Sequence, residues 1–438
     1  MISYHDYRPV LKAGPFHRVM DRLFVPWKIG ECSFIEFLED AKNYPHLPES
    51  AVERLLRMIV RDGLFTDGEI LSRMYGRPLR AYRAMYRFSG LEPFIDALVN
   101  DFLLPVAGPD FAKQRMLCIV GPRSSGRRHF VQGLADRLDD NPERIPCLQH
   151  SEMRTNPLSL LFCISEMASV ACARDHRKGV PVDSIAPYVH EVMKNLKLDE
   201  LVDYNNQSFL SWCQQHGIQP SFEGLCRRVM DVSPIGPVAT AIMLGLGLTH
   251  ATAFTIGYPD PAVWRHLLDD MPDPTLALAN YPVSGFRPNS RHNHAVGFAE
   301  VSEIEPINYD RGNLIDYECD LSTLGTKKEV SKLRGYLCSA NRGILVASNA
   351  FHYPDEALVD LRNAQKQKLQ LGSTAHVHDE LPLGVPRLGF DNVTIVHDDL
   401  GAFDNRDRQG KLADRSTGQS LRIRDEFKVI SYPMPGFR

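Results

Sequence analysis

The chain has 438 residues, which at about 150 residues per domain allows two or three domains and a large buried core, so no disulfide staples are required. Hydrophobic residues make up 43% and charged residues 24%, a balance that excludes a disordered or fibrous chain. Fifty Lys and Arg against 54 Asp and Glu leave a formal charge of -4, which excludes electrostatic nucleic-acid binding by the chain as a whole.

Nine cysteines, spread from Cys32 to Cys338 without a CxxC pair, suggest neither a disulfide framework nor a zinc knuckle. They read as reduced thiols in a cytoplasmic protein. The first twenty residues are charged throughout and lack an apolar segment, so no secretory signal is expected.

Between residues 33 and 61, Phe34, Phe37, Leu38 and Ala41, then Val52, Leu55, Leu56 and Ile59, recur at steps of three and four. The spacing predicts two helices split at Pro45 and Pro48. Ser33 with Glu36 has capping-box spacing. A further helix is predicted from Leu91 through Phe94, Ile95, Leu98, Val99 and Phe102 to an end at Pro105.

Residues 115–120, Arg-Met-Leu-Cys-Ile-Val, form a short apolar run of the kind buried on both faces of a sheet. They lead into Gly121-Pro122-Arg123-Ser124-Ser125-Gly126-Arg127-Arg128 and then an amphipathic segment with Phe130, Leu134, Ala135 and Leu138. Strand, glycine loop, helix is the phosphate-loop order. Such a loop reads G-x-x-x-x-G-K-[ST], with backbone amides cradling phosphates, Lys neutralising the outer ones and a hydroxyl holding magnesium. Here Arg127 replaces Lys and Arg128 replaces the hydroxyl residue. A guanidinium forks onto phosphate oxygens but does not take the place of an ammonium. Residue types alone leave the octet divided between a residual anion site and a vestigial turn.

From Leu158 to Pro306 the pattern is helical and then mixed. The stretch from Gly236 to Gly257 is nearly uncharged, but its Thr and Gly content favours a core helix and strand over a membrane span. Pro, Gly and Asn between Tyr281 and His294 predict a loop. Two more buried strands are predicted at Gly343–Ser348 and Val393–His397, with a helix from Ala357 to Leu371 between them, which together favour a parallel α/β sheet. The histidine pairs His292/His294 and His376/His378 lack the further ligands that zinc requires, and no nucleophile elbow is present. Neither a metal nor a catalytic residue is assigned.

The chain resembles the PrkA family of bacterial AAA+ proteins, usually called serine protein kinases. The resemblance is carried, in the family's order, by SFIEFLEDA, AVERLLRMI, RFSGLEPFIDALVNDFL, IVGPRSSGRR and RGYLCSANRGIL, and more loosely by NYDRGNLIDYECDL. It implies an AAA+ P-loop NTPase-like parallel sheet flanked by helices, behind a helical N-terminal region. The expected layout is residues 1–87 for that region and 88–438 for the AAA+ domain, with a helical or mixed insertion at about 158–306. It also implies rings, each site completed by a neighbour, with Arg406, Arg408, Arg415, Arg422 and Arg424 in the region that would present an inter-subunit arginine, Arg415, Arg422 and Arg424 being the candidates; a solvated loop balanced by its own acids is the alternative.

The departures from the family define the functional expectation. Family members resemble GPVGGGKSS where this chain reads GPRSSGRRH, and they place acids where Val346 and Asn349 stand. Since phosphoryl transfer rests on positioning and charge neutralisation, losing these groups together implies little hydrolysis. Asp398 and Asp399, at the end of the next predicted strand, are read either as substitutes for a lost carboxylate or as an acidic pair in a solvated loop. The family's long C-terminal region, with its kinase activity, is not expected here. The leading expectation is a degenerate AAA+ scaffold or regulatory partner, a homo-oligomer working with another protein, holding ATP or ADP weakly through Gly121 to Arg128 and magnesium poorly. The alternatives are an active ATPase with a non-standard site, and an anion or nucleic-acid binder built on the loop arginines.

Overall fold

A computed structural model describes residues 31–107 (except 45 and 65–67), 116–161 (except 141–142), 259–301 (except 261, 264–265, 268–273 and 291–294), 316–319, 331–365, 390–409, 412–414, 419–421 and 426–433. The Gly236–Gly257 stretch, both histidine pairs and Arg415, Arg422 and Arg424 lie outside these residues.

The first described strand, β1 (Glu31–Ser33), leads into α1 (Phe34–Asn43), followed by α2 (Ala51–Arg61). Both helices begin with a full capping box. Ser33 and Glu36 exchange bonds at one, and Ser50 and Glu53 at the other, satisfying two orphan donors each. The predicted third helix starts as α3 (Glu92–Ala97), but it does not end at Pro105. It winds through a π-helical segment, Leu98–Leu103, into a last turn, Leu104–Ala107. The wider turn just upstream loosens the hydrogen-bond ladder where the proline has no N–H to give, so the helix passes the ring instead of stopping.

The central sheet has five strands in the order β12 (Phe427–Ser431), β2 (Met116–Gly121), β9 (Val393–Asp399), β8 (Ile344–Ser348), β5 (Phe298–Val301). All four pairings are parallel. Two antiparallel pairs fall between these strands in chain order, β6 (Asp316–Cys319) with β7 (Ser331–Arg334) and β10 (Leu412–Asp414) with β11 (Gln419–Leu421). As expected of a sheet covered on both faces, β2 and β8 are buried along their full length. On one face Leu117, Ile119, Ile344, Val346, Val393 and Ile395 join α2, α3 and the helix after the loop, α4 (Arg127–Asp139). On the other, Met116, Cys118, Val120, Leu345, Ala347 and Val396 pack against α5 (Tyr336–Ala340), α6 (Asp355–Gln365) and α7 (Leu400–Gln409). The helix expected to run to Leu371 is described as far as Gln365.

One core therefore draws on residues both before and after Phe88. Phe88, Phe94, Phe130 and Tyr432 form an edge-to-face cluster with centroids 4.9–6.0 Å apart, tying the early helices to α4 and to the chain just beyond β12. A buried ionic network adds to this link. Arg342, with no exposed surface, donates to Asp391 Oδ2 at 2.7 Å, while Arg54 of α2 donates to the Arg342 carbonyl at 2.9 Å.

The segment expected to be a loop from Tyr281 onward begins with a strand, β4 (Pro282–Phe286). It pairs antiparallel with β1 and with β3 (Ile145–Leu148). Pro282 is its first residue, the position where a missing donor is tolerated, and its partners lie more than 100 residues away, so no local pattern announces it.

Candidate functional site

The octet Gly121 to Arg128 joins the end of β2 to the start of α4 at the C-terminal edge of the parallel sheet, where open α/β sheets bind ligands. Two features let the chain turn there. Gly126 has φ +91° as the residue before α4, and Gly121 lies so close to Tyr432 that a Cβ would sit 2.8 Å from its carbonyl oxygen. Ser124 also has positive φ, at 59°. The turn aims the first amides of α4 outward, a ready anion cradle. Ser125 is buried within it, and its hydroxyl has no hydrogen-bond partner among the described residues.

Each arginine of the octet has an acceptor supplied by the chain itself. Arg123 Nε donates to Asp399 Oδ2 at 3.1 Å, Arg127 Nη1 donates to the Gly121 carbonyl, and Arg128 donates through Nε and Nη2 to Glu300 Oε2 at 3.2 and 2.9 Å. Arg123 and Arg128 are 84% and 73% exposed. Partial burial pulls Arg127 below the usual arginine range, with Asp398 and Asp399 acting the other way.

Register explains which side chains gather around the loop. Val120 and Gly121 stand opposite Asp398 and Asp399, Ser348 opposite His397, and Glu300 opposite Val346. The result is a chain of bonds across three strand ends. Ser348 Oγ donates to Glu300 Oε1 at 2.9 Å and lies 2.9 Å from His397 Nε2. With the serine proton committed to the carboxylate, Nε2 is the protonated nitrogen and donates, leaving Nδ1 a buried acceptor without a partner among the described residues. Burial, aided by Arg127 and Arg128 and opposed by Glu300, lowers His397 to about 4, so it is neutral at pH 7.

His352, Asp398 and Asp399 bring ligand atoms within 4.8 Å of one another. Their carboxylates are already employed. Asp398 accepts from the Asp399 and Phe351 amides at 2.7 and 2.9 Å, and Asp399 Oδ1 accepts from the Ala402 amide at 2.8 Å. Burial raises Asp398, while the Ala402 bond lowers Asp399. The pair closes turns at the starts of the 350–352 segment and α7.

Of the residues singled out from sequence, the octet and the Asp398/Asp399 pair come together. Val346 is in the core, and Asn349, with φ 53°, is exposed. Arg406 is turned inward, donating to the Tyr353 carbonyl and to Asp355. Glu300, Ser348, His397 and Tyr432 were not singled out. Only the pairing of distant strands reveals them, although His397 was within reach, next to Asp398 in a strand already identified.

A parallel five-stranded sheet with a phosphate-type loop after an inner strand, flanked by helices on both faces, is the AAA-type P-loop architecture. The family model for the PrkA AAA domain matches residues 32–188, a segment containing the whole octet. Over that segment the chain is similar to the PrkA AAA domain, which together with the sheet and loop supports an AAA-type nucleotide-binding fold. No curated protein matches the chain. Among the described residues, no helix is long and apolar enough to cross a membrane.

Proposed function

We propose that this chain is a catalytically quiet AAA-type protein that holds ATP or ADP weakly at the Gly121–Arg128 loop and acts as a homo-oligomeric scaffold or regulatory partner of another protein. The observation supporting this reading is the end of β8. Val346 is 1% exposed within the apolar core, and Ser348 and Asn349 follow it, so the end of β8, the strand next but one to the loop, offers no carboxylate to orient water or a metal ion. Backbone amides and arginines hold charge without that chemistry. The test is a native mass and nucleotide-content measurement together with a magnesium-dependent phosphate-release assay. An oligomer that binds nucleotide with negligible release supports the proposal, and brisk release overturns it.

A second reading, an ATPase with a displaced acid, draws on Glu300, which is the register partner of Val346 on the adjacent strand. It requires release that is lost in both Glu300→Gln and Arg127→Ala.

A further inference from the structure

An ordinary phosphate loop neutralises its ligand with one lysine and a doubly charged magnesium ion held by a loop hydroxyl. In this chain Arg123, Arg127 and Arg128 bring three guanidinium charges to the same turn. Position 128, where the hydroxyl would stand, presents donors only, and they face Glu300. A guanidinium has no lone pair for a cation and repels it, so magnesium does not fit there. An anion does. The left-handed Gly126, the free first amides of the thirteen-residue α4 and the buried, unpartnered Ser125 hydroxyl all offer donors.

We propose that the loop takes the metal-free form of a nucleoside triphosphate, its three arginines standing in for the lysine and the magnesium ion together. This rests on the nucleotide-binding reading above and specifies which form of the ligand is bound. In the free chain the guanidiniums rest on Asp399, the Gly121 carbonyl and Glu300. The two carboxylate contacts are formed by arginines that are largely exposed, and ion pairs of that kind hold weakly, so phosphate oxygens of higher charge density displace them. Glu300 and Asp399 are then internal competitors of the ligand. A magnesium ion on the triphosphate would both cancel charge and cover the oxygens onto which the arginines fork.

The experiment is calorimetric titration of the full chain with ATP, once in EDTA and once in excess magnesium. Binding should be tighter in EDTA by about tenfold or more, the scale of one charge-assisted hydrogen bond. Glu300→Gln should tighten the metal-free form by a further factor of about two to five, since it removes the negative charge that competes for the exposed Arg128. The double variant Arg127→Lys/Arg128→Ser should lose the preference for EDTA. Tighter binding of the magnesium complex by the unaltered protein overturns the proposal and leaves the nucleotide reading standing. No binding of either form overturns both. If a variant fails to fold, the comparison on the unaltered protein decides alone.

Discussion

Gly121 and Gly126 were equally visible in the sequence, yet the structure requires them for different reasons. Gly126 is needed for its positive φ; among the described residues only the Tyr432 hydroxyl, 3.8 Å away, is near a prospective Cβ. Gly121 is needed for space, because a Cβ would press on the Tyr432 backbone, whose N–H donates a hydrogen bond to the Val120 carbonyl at 2.6 Å. Gly121→Ala should therefore cost about 1–3 kcal/mol through overpacking, read as a lower urea midpoint at unchanged slope. The octet's spacing marked it as a loop. The fate of its arginines was not legible, because a side chain's acceptor is set by whichever distant strand end lies beside it, here Glu300 and Asp399.

At the scale of elements, the readings that succeeded rest on local physics. The Ser33–Glu36 capping box, the uniformly apolar strands and the amphipathic α4 announce themselves within a few residues. Those that failed, β4 and the passage beyond Pro105, depend on partners or windings that no local pattern encodes. The end of β9 has its own consequence for acid stability. His397 titrates at about 4 in the folded chain through burial, against an ordinary value of 6.5, and His46, also buried, is lowered to about 4 by the same cause. At these two histidines the unfolded chain thus holds more protons between pH 6.5 and 4, and the stability that the neutral rings contribute above pH 6.5 is lost as pH falls through that window. Each histidine contributes up to about 3 kcal/mol to the fall. Buried Glu49, raised to about 7, acts in the opposite sense over the same window, so the difference between two proteins isolates the ring. Urea midpoints of the unaltered protein should fall more steeply from pH 6.5 to 4 than those of His397→Gln, and parallel curves would contradict the burial of His397.

Across the whole molecule, the early helices and the nucleotide sheet are one packing unit. Leu55 and Ile59 of α2 share a core with Ile119 of β2 and Phe130 and Leu134 of α4, all essentially unexposed. At the opposite end of the sheet from the loop, the Ala51 amide donates to Asp391 Oδ1 at 2.8 Å, the same carboxylate that receives Arg342. Separating α2 from the sheet would leave Arg342 and Asp391 with broken bonds in a hydrophobic setting, a costly arrangement for buried charge. Local opening of α2 alone is thereby disfavoured, and the two parts should unfold together. Native-state hydrogen exchange tests this directly, since amides of α2 and of β2 should open with the same free energy and the same denaturant dependence. Ile59→Ala and Leu134→Ala, one on each side of Phe88, should each lower that common value by about 2–5 kcal/mol. Exchange from α2 at a much lower free energy than from β2 would show instead that the helical segment detaches on its own, and that the shared core does not bind the two into one cooperative unit.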